Sequence, residues 1–434
     1  MSITPTSILI REFTSHKLQA AIDTAKSVAS QSHPFEESKA ALVVVEKNLS
    51  ELLHRIQRPT ANEQLLRSSC GLGLNGLEQM IPLIGFIERA TEVTGPVEFF
   101  GPFSRITRKI LNNNAKLVLS STWIFSPHTI IYPDQIVGFL DFVFVGFPVS
   151  ESDNAFLTPL AAHEIGHNLW SLSKCETEFS PKVSEKVVSL LKTEAYKNRF
   201  SQDFNMATSK DDLIGQSSWF PASFWACKQL QESFCDFLAL YIFGPSYLYS
   251  FCHFTCPGTQ SADPRYPPIQ TRHEQLLSAA KSEGWSLKDP MISGLFQDFK
   301  RSVGINSTQQ DNLLLEVADK CREAIVDEVR ERAKKAVTDA GLLYSDDQTL
   351  EIEKQFLKGL PCNSITSLAS ICNAGWNLFI SNILENTNDL NLGFNKKEYP
   401  KLLNELMLKS FEIFEIETEL KEQDTCSTQM QLKL

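Results

Sequence analysis

The chain has 434 residues, enough for two or three domains with a sizeable core. Its net charge of −11 argues against a general binder of nucleic acid or anionic membrane, since either ligand requires a basic face. Its first residues lack the basic and apolar segments of a signal peptide, and it has no uninterrupted apolar stretch of about 18 residues that could insert into a membrane. Its ten cysteines lack framework spacing, which indicates reduced thiols. We therefore expect a soluble cytoplasmic protein.

The first region, residues 1–112, is expected to be helical. Apolar residues follow a helical period from residue 12 to about 68, with a Ser-His-Pro break at 32–34. This pattern predicts two antiparallel helices, the second over about 35–58. Residues 69–112 are mixed, and a turn region is predicted at their start from three glycines. These glycines are Gly71, Gly73 and Gly76. A phosphate loop would require a Gly-Lys-Ser/Thr sequence after them, and none follows.

The character of the sequence changes between residues 116 and 147. The segments 116–125 and 141–147 are rich in aromatic and β-branched residues, which predicts strands. We expect a small β-sheet that packs on the helix following it, within a mainly helical α+β fold. An edge strand of such a sheet can hold an extended peptide by main-chain pairing.

That following helix contains the motif H-E-x-x-H, as His163-Glu164-Ile165-Gly166-His167. Thr158 as N-cap and Pro159 in the first turn predict where the helix begins. Residues i and i+4 share one face of a helix, so His163 and His167 can offer two imidazole nitrogens to one zinc ion. Glu164 falls on the adjoining edge, where its carboxylate can take a proton from a zinc-activated water.

The rest of the chain is predicted to be helical, apart from its last dozen residues, whose composition is typical of disorder. Helices are predicted over 181–200, 221–243, 268–282, 313–340, 348–357, 365–385 and 399–421. Residues 113–290 are expected to form the core that carries the site, with residues 171–218 as a candidate lid. Residues 291–434 form a helical C-terminal region. The helical regions are candidate surfaces for a regulatory partner or for a homo-oligomer.

A catalytic zinc site usually has three protein ligands, so a third is required. The metzincin pattern fails, because Trp170 and Ser173 stand where its glycine and third histidine belong. Glu232 and Asp236 lie one turn apart on an otherwise apolar predicted helix, where two carboxylates need positive partners. We expect Glu232 to be the third ligand and Asp236 to orient a ligand histidine. Rival ligands in a more polar segment are Glu176, Glu178 and Glu185.

Together these motifs resemble the gluzincin metallopeptidases, over residues of about 115–285. They are most similar to the HtpX-type and CAAX-protease-type enzymes, in which H-E-x-x-H and E-x-x-x-D precede a His-Pro…Arg element. Here that element runs from Tyr266 to Arg272, with tyrosine in place of the histidine. The transmembrane helices usual in those enzymes are also absent, so the chain looks like a soluble relative.

The resemblance implies a zincin-like core and an endopeptidase that hydrolyses peptide bonds in a protein or peptide substrate. It implies one Zn²⁺ per chain, with Glu164 as general base and the ligands His163, His167 and Glu232. Tyr266 and Arg272 are the preferred donors to the oxyanion, on their motif positions. Other candidate donors are Tyr241, His253, Arg265 and His273. The alternative function is a non-catalytic zincin-like interaction scaffold with a structural metal site, which would not require Glu164.

Overall fold

The structure is a computed structural model. It describes residues 3–90, 97–124, 126–130, 138–197, 199, 213–256, 263–287, 309–363, 367–384 and 398–431. Within these ranges the protein is mainly helical with a small three-stranded sheet, which confirms the expected mainly helical α+β class. The chain divides into two compact units, one of Met1–Arg108 with Asn112–Asp153 and one of Lys109–Leu111 with Asn154–Leu434. The three regions expected from the sequence stay a prediction.

The first unit is built on three helices: α1 (Pro5–Ala29), α2 (Glu36–Gln57) and α3 (Glu63–Arg89). The Thr4 hydroxyl accepts a hydrogen bond from the Ser7 amide and so caps α1. Each helix buries an apolar stripe in a shared core, as the helical period of residues 12–68 predicts. The predicted first two helices are thereby confirmed.

Helix α3 contradicts the turn region predicted from Gly71, Gly73 and Gly76. All three glycines lie inside the helix. A Cβ on Gly73 would come within 2.7 Å of the Ile56 side chain, and one on Gly76 would overlap the Leu52 side chain. The prediction was wrong because Gly73 and Gly76 allow α2 and α3 to approach closely, and the packing outweighs the poor helix propensity of glycine.

Helix α3 is also the one helix, among the described residues, that is long and apolar enough to span a membrane. Half of its most apolar stretch is buried against the rest of the protein. The core helix of a soluble protein meets the same criteria, so this observation is weak support for a membrane span.

The sheet belongs to the first unit and follows α4 (Phe100–Ile110). Its strands are β1 (Lys116–Thr122), β2 (His128–Thr129) and β3 (Phe142–Pro148), in the order β1-β3-β2. β1 pairs with β3 in parallel, with Lys116 opposite Phe142, and β2 pairs with β3 antiparallel. The two predicted strands are confirmed, and the expected packing of the sheet on the motif helix stays a prediction.

Among its described residues, the second unit contains helices joined by loops and no strand. Its helices are α5 (Leu160–Leu172), α6 (Cys175–Leu191), α7 (Glu194–Lys197), α8 (Leu213–Phe243), α9 (Pro245–Thr255), α10 (Ile269–Ser282), α11 (Gln309–Asp339), α12 (Thr349–Phe356), α13 (Leu368–Leu384) and α14 (Tyr399–Gln431). The long helix α8 lies at the centre and contacts α5, α6, α10 and α11. It ends at Gly244, as the Gly-Pro signal predicts.

Several predicted helix limits in this unit were wrong. Helix α8 begins at Leu213 and contains Pro221, its predicted first residue, and the helix predicted to run to residue 200 ends at Leu191. Helix α6 begins at Cys175, and Pro181 lies inside it, because buried Cys175 and Phe179 extend its packed face beyond the proline. Helix α14 continues to Gln431, through most of the dozen residues expected to be disordered. Of the candidate lid, residues 171–218, the structure describes α6, α7 and the first residues of α8; residues 200–212 lie outside the described residues.

Candidate metal centre

The motif helix α5 begins at Leu160, close to its predicted start but with a different cap. The Thr158 hydroxyl donates to the Ala155 carbonyl oxygen at 2.7 Å and makes no N-cap hydrogen bond. Thr158 instead ends a 3₁₀ turn, Ala155–Leu157, so the predicted Thr158 cap was wrong. The correction changes the helix start only, since His163, Glu164 and His167 all lie on α5 and are nearly buried.

Helix α5 crosses α8 at a point of close contact. A Cβ on Gly166 would lie 3.1 Å from the backbone Cα of Cys235. That distance is tighter than ordinary packing, so a larger residue at position 166 would push the two helices apart. The glycine within H-E-x-x-H therefore lets both imidazoles approach the acidic face of α8.

The carboxylate of Glu232 lies between the two motif histidines. Its Oε2 is 3.4 Å from His163 Nε2, and its Oε1 is 3.7 Å from His167 Nε2. Ligand atoms around a tetrahedral zinc at bond lengths of about 2.1 Å are separated by about 3.4 Å. The spacing of these three side chains therefore fits one tetrahedral ion.

Two of the rival carboxylates have other partners. Glu176 lies 3.8 Å from Lys228, and Glu178 lies 3.6 Å from Arg332, in each case between carboxylate and side-chain nitrogen. Both are exposed at the surface. Glu232 is thus the candidate that the described structure brings to both histidines.

A second set of donors surrounds these histidines. Ligand atoms of His163, His167 and Cys235 all lie within 4.8 Å of one another, and this group could hold a metal ion. Burial raises the pKa of the Cys235 thiol well above its ordinary value, so the metal-free thiol is neutral. Cys235 was not predicted as a ligand, because in the sequence it resembles an apolar residue of a buried helix.

Asp236 lies beside His163, where its predicted role of orienting that histidine would place it. Its Oδ1 lies 3.0 Å from His163 Nδ1. Arg272 on α10 donates to both of its oxygens at 2.7 Å, and the guanidinium of Arg272 also lies over the Phe251 ring. Burial would raise the pKa of Asp236, but the Arg272 charge and the hydrogen bond from His163 outweigh it and leave the carboxyl ionised.

Tyr247, a buried residue on α9, also belongs to the site and was not predicted from the sequence. Its hydroxyl donates to Asp236 Oδ1 at 2.6 Å and lies 3.2 Å from His163 Nδ1. The only signal in the sequence is the Gly244-Pro245 break just before it, which implies a change of chain direction but not the position of the tyrosine.

The motif glutamate has an unusual acidity. Burial raises the pKa of Glu164 to about 7 in the metal-free protein. A carboxyl with a pKa near neutrality can both accept and release a proton at physiological pH, which is the property a general base requires.

The two histidines differ in their surroundings. Burial tends to lower the pKa of His163, but hydrogen bonds with Asp236 and Glu232 raise it to about 10. Burial lowers the pKa of His167 to about 4, so its metal-free ring is neutral. Its Nδ1 is buried and has no hydrogen-bond partner among the described residues.

The charges of the site call for a cation. Three buried acidic residues, Glu164, Glu232 and Asp236, surround the two imidazoles, and the partly buried Arg272 faces them. In the metal-free protein the His163 ring, with its pKa of about 10, adds a second positive charge. Once that ring is neutral, as a metal ligand must be, the three ionised carboxylates exceed the cations by two, and isolated buried charge is costly. A divalent ion between the imidazoles and Glu232 would balance them.

Three further candidate oxyanion donors, Tyr266, Arg265 and Tyr241, lie in different surroundings. Tyr266 is 40% exposed. The negative charge of Glu232 is the main cause that raises the pKa of the Tyr266 hydroxyl, so the two side chains are close enough to interact. Arg265 is held by Asp263 in an exposed ion pair. Tyr241 lies in an aromatic group with Trp285. The Tyr266 assignment stays a prediction.

No protein-family model, curated protein or solved structure matched this chain in the comparisons with known proteins.

Proposed function

We propose that this protein is a zinc-dependent metallopeptidase of the gluzincin type. The observation that carries the proposal is the Glu232 carboxylate, which lies 3.4 Å from His163 Nε2 and 3.7 Å from His167 Nε2 in a nearly buried site. Two imidazoles and one carboxylate are a common ligand set of catalytic zinc, which leaves a fourth position for water or substrate.

In this proposal His163, His167 and Glu232 hold one zinc ion per chain. The three buried carboxylates and the unprotonated state of His167 suit a divalent cation. When bound, zinc would supply Lewis acidity toward water and toward the scissile carbonyl group.

Glu164 is the proposed general base. It lies one residue from a ligand, and its pKa of about 7 in the metal-free protein suits proton transfer near neutral pH. The carboxylate would take a proton from the attacking water and return it to the leaving amine. Tyr266, half-exposed beside Glu232, would donate a hydrogen bond to the developing oxyanion.

The proposed substrate is a protein or peptide in the cytoplasm. The net charge of −11, and the presence of only one weak candidate for a membrane span among the described residues, support a soluble enzyme that binds no nucleic acid. The helical regions that flank the site are proposed to contact a regulatory partner or another copy of the chain.

A second function is favoured by one observation, the group formed by His163, His167 and Cys235. If the thiolate of Cys235 replaced Glu232 as a ligand, the site would be a structural one on a non-catalytic interaction scaffold. Cys235 lies against the backbone of Gly166, where it packs two helices, whereas the oxygens of Glu232 face both Nε2 atoms. We therefore favour Glu232.

Elemental analysis of zinc in purified variants separates the two ligand sets. We expect about one zinc per chain in wild type, Glu164→Gln and Cys235→Ser, and loss of zinc in His163→Ala and Glu232→Gln. Loss in Cys235→Ser with retention in Glu232→Gln would instead support the structural site. A wild type that cannot be loaded with zinc would overturn both.

Cleavage of labelled casein and of a mixed peptide library then tests the reaction. Glu164→Gln should retain its zinc and lose about 100- to 10,000-fold in rate, because only the proton transfer is removed. Equal rates for zinc-loaded wild type and Glu164→Gln would show that the cleavage does not come from this site.

A further inference from the structure

Tyr247 reaches the metal centre because α8 is broken at Gly244. Tyr247 lies eleven residues after Asp236, and in an unbroken helix that separation would place them about 16 Å apart along the axis. Their side chains are instead 2.6 Å apart. Gly244 has a φ of 62°, which favours glycine, and Pro245 then starts α9 in a new direction.

The hydrogen bonds around Asp236 determine where protons lie. Its Oδ1 accepts from the Tyr247 hydroxyl and lies 3.0 Å from His163 Nδ1. A tyrosine hydroxyl has one hydrogen, and here that hydrogen is used on the carboxylate. Both oxygens that face His163 Nδ1 can therefore only accept, so Nδ1 must carry the ring proton.

The proton on Nδ1 fixes the role of the other ring nitrogen. An imidazole that binds a metal is neutral, and with its proton on Nδ1 its lone pair is on Nε2. In His163 this is the nitrogen that faces Glu232 at 3.4 Å, on the side where the ion would lie. His167 has no matching arrangement, because its Nδ1 has no hydrogen-bond partner in the described part of the chain.

We propose that Tyr247 is a positioning residue for the metal centre, an inference that rests on the proposed function. Its hydroxyl and Asp236 together hold His163 in the tautomer and ring orientation that direct Nε2 at the ion. Tyr247 lies on the Nδ1 side of His163, away from the Nε2 that faces Glu232, so it contacts no reacting atom. Its effect is therefore on metal affinity and not on the chemical step.

The test compares Tyr247→Phe with Tyr249→Phe, a buried tyrosine on the same helix whose ring lies beside Trp376. The zinc dissociation constant of the full chain is measured by competition with a chromogenic chelator. Tyr247→Phe should weaken zinc binding by about tenfold, the lower end for partners of ligand histidines, because Arg272 still holds Asp236. Tyr249→Phe should change it by less than about twofold.

A further measurement distinguishes positioning from a general structural effect. Nitrogen-15 spectra of the histidine rings in the zinc-loaded protein should show Nδ1–H for His163, with an altered signal in Tyr247→Phe. Tyr249→Phe, the control on the same helix, should leave that His163 signal as in wild type. Unchanged zinc affinity in a folded Tyr247→Phe, in a wild type that binds zinc, would overturn this inference and leave the proposed function standing.

Discussion

In each of the two units a glycine allows one helix to approach another closely, but the two contacts serve different purposes. In the first unit, Gly73 lets α3 approach the side chains of Ile56, Thr14 and Leu18. In the second unit, Gly166 lets α5 approach the backbone of α8 at Cys235. The first contact closes an apolar core. The second brings ionisable side chains of two helices together.

The difference between them lies in what surrounds the glycine. Around Gly73 the neighbours are the ends of flexible side chains, which can move. Around Gly166 the neighbours are the backbone Cα and the side chain of Cys235, and buried ionisable residues lie close by on both helices. We therefore expect substitutions near the charged site of the second unit to cost more stability than comparable substitutions in the first unit. Four predictions test this difference.

The largest expected effect is on the buried ion pair. Arg272→Leu leaves Asp236 buried without its cation, which should destabilise the metal-free second unit by about 3–5 kcal/mol. The matched control is Arg108→Leu, which removes a partly exposed pair with Glu37 in the first unit and should cost less than about 1 kcal/mol.

Urea denaturation followed by hydrogen exchange in peptides of α8 and α2 reports the two units separately. A loss for Arg272→Leu no larger than that for Arg108→Leu would show that the buried pair contributes little to folding.

The second effect concerns the crossing of α5 and α8. Gly166→Ala places a methyl group 3.1 Å from the Cα of Cys235, and the backbone cannot rotate away. We expect a loss of about 1–3 kcal/mol in stability and weaker zinc binding, because the histidines move away from Glu232. Chemical denaturation and chelator competition measure the two; retention of wild-type zinc affinity would contradict the proposed role of the crossing.

The third effect is smaller and comes from the first unit. Gly73→Ala places a methyl group 2.7 Å from Ile56 Cδ1, the end of a flexible side chain. The gain in helix propensity of about 1 kcal/mol should offset most of the repacking cost, so stability should change by less than about 1 kcal/mol. A loss in urea denaturation equal to that of Gly166→Ala would remove the contrast between the two contacts.

The smallest effect is a pH dependence at the start of α3. Hydrogen bonds from Ser7 and Thr4 lower the pKa of Glu63 from 4.5 to about 2. Because the folded pKa is lower, the stability contributed by Glu63 is present above pH 4.5 and is lost as the pH falls toward 2. Thermal unfolding from pH 7 downward should show a weaker pH dependence in Glu63→Gln, and identical curves would contradict it.

Much of this architecture can be predicted from local pattern. The strands β1 and β3, and the helices that carry His163 and Glu232, follow from residue type and periodicity. The paired acids of α8 were recognisable because two carboxylates one turn apart on an apolar helix need partners. These features depend on residues that are near one another in the chain.

What could not be predicted depends on contacts between distant segments. Helix α3 forms although its glycines favour turns, because Gly73 and Gly76 pack against other helices. Thr158 has the residue type of an N-cap, yet its hydroxyl donates a hydrogen bond to the preceding 3₁₀ turn and does not cap α5. Tyr247 resembles an ordinary core tyrosine until the geometry of the Gly244 break is known.

The break at Gly244 also has a consequence for how the centre assembles during folding. Glu232, Asp236 and Tyr247 lie within one short stretch of chain, so their contacts close only a small loop. His163 contacts Tyr247 across 84 positions, and Arg272 contacts Asp236 across 36. The contacts among Glu232, Asp236 and Tyr247 therefore have low contact order and can form early in folding. The contact with His163 joins distant parts of the chain, so it is expected to form later.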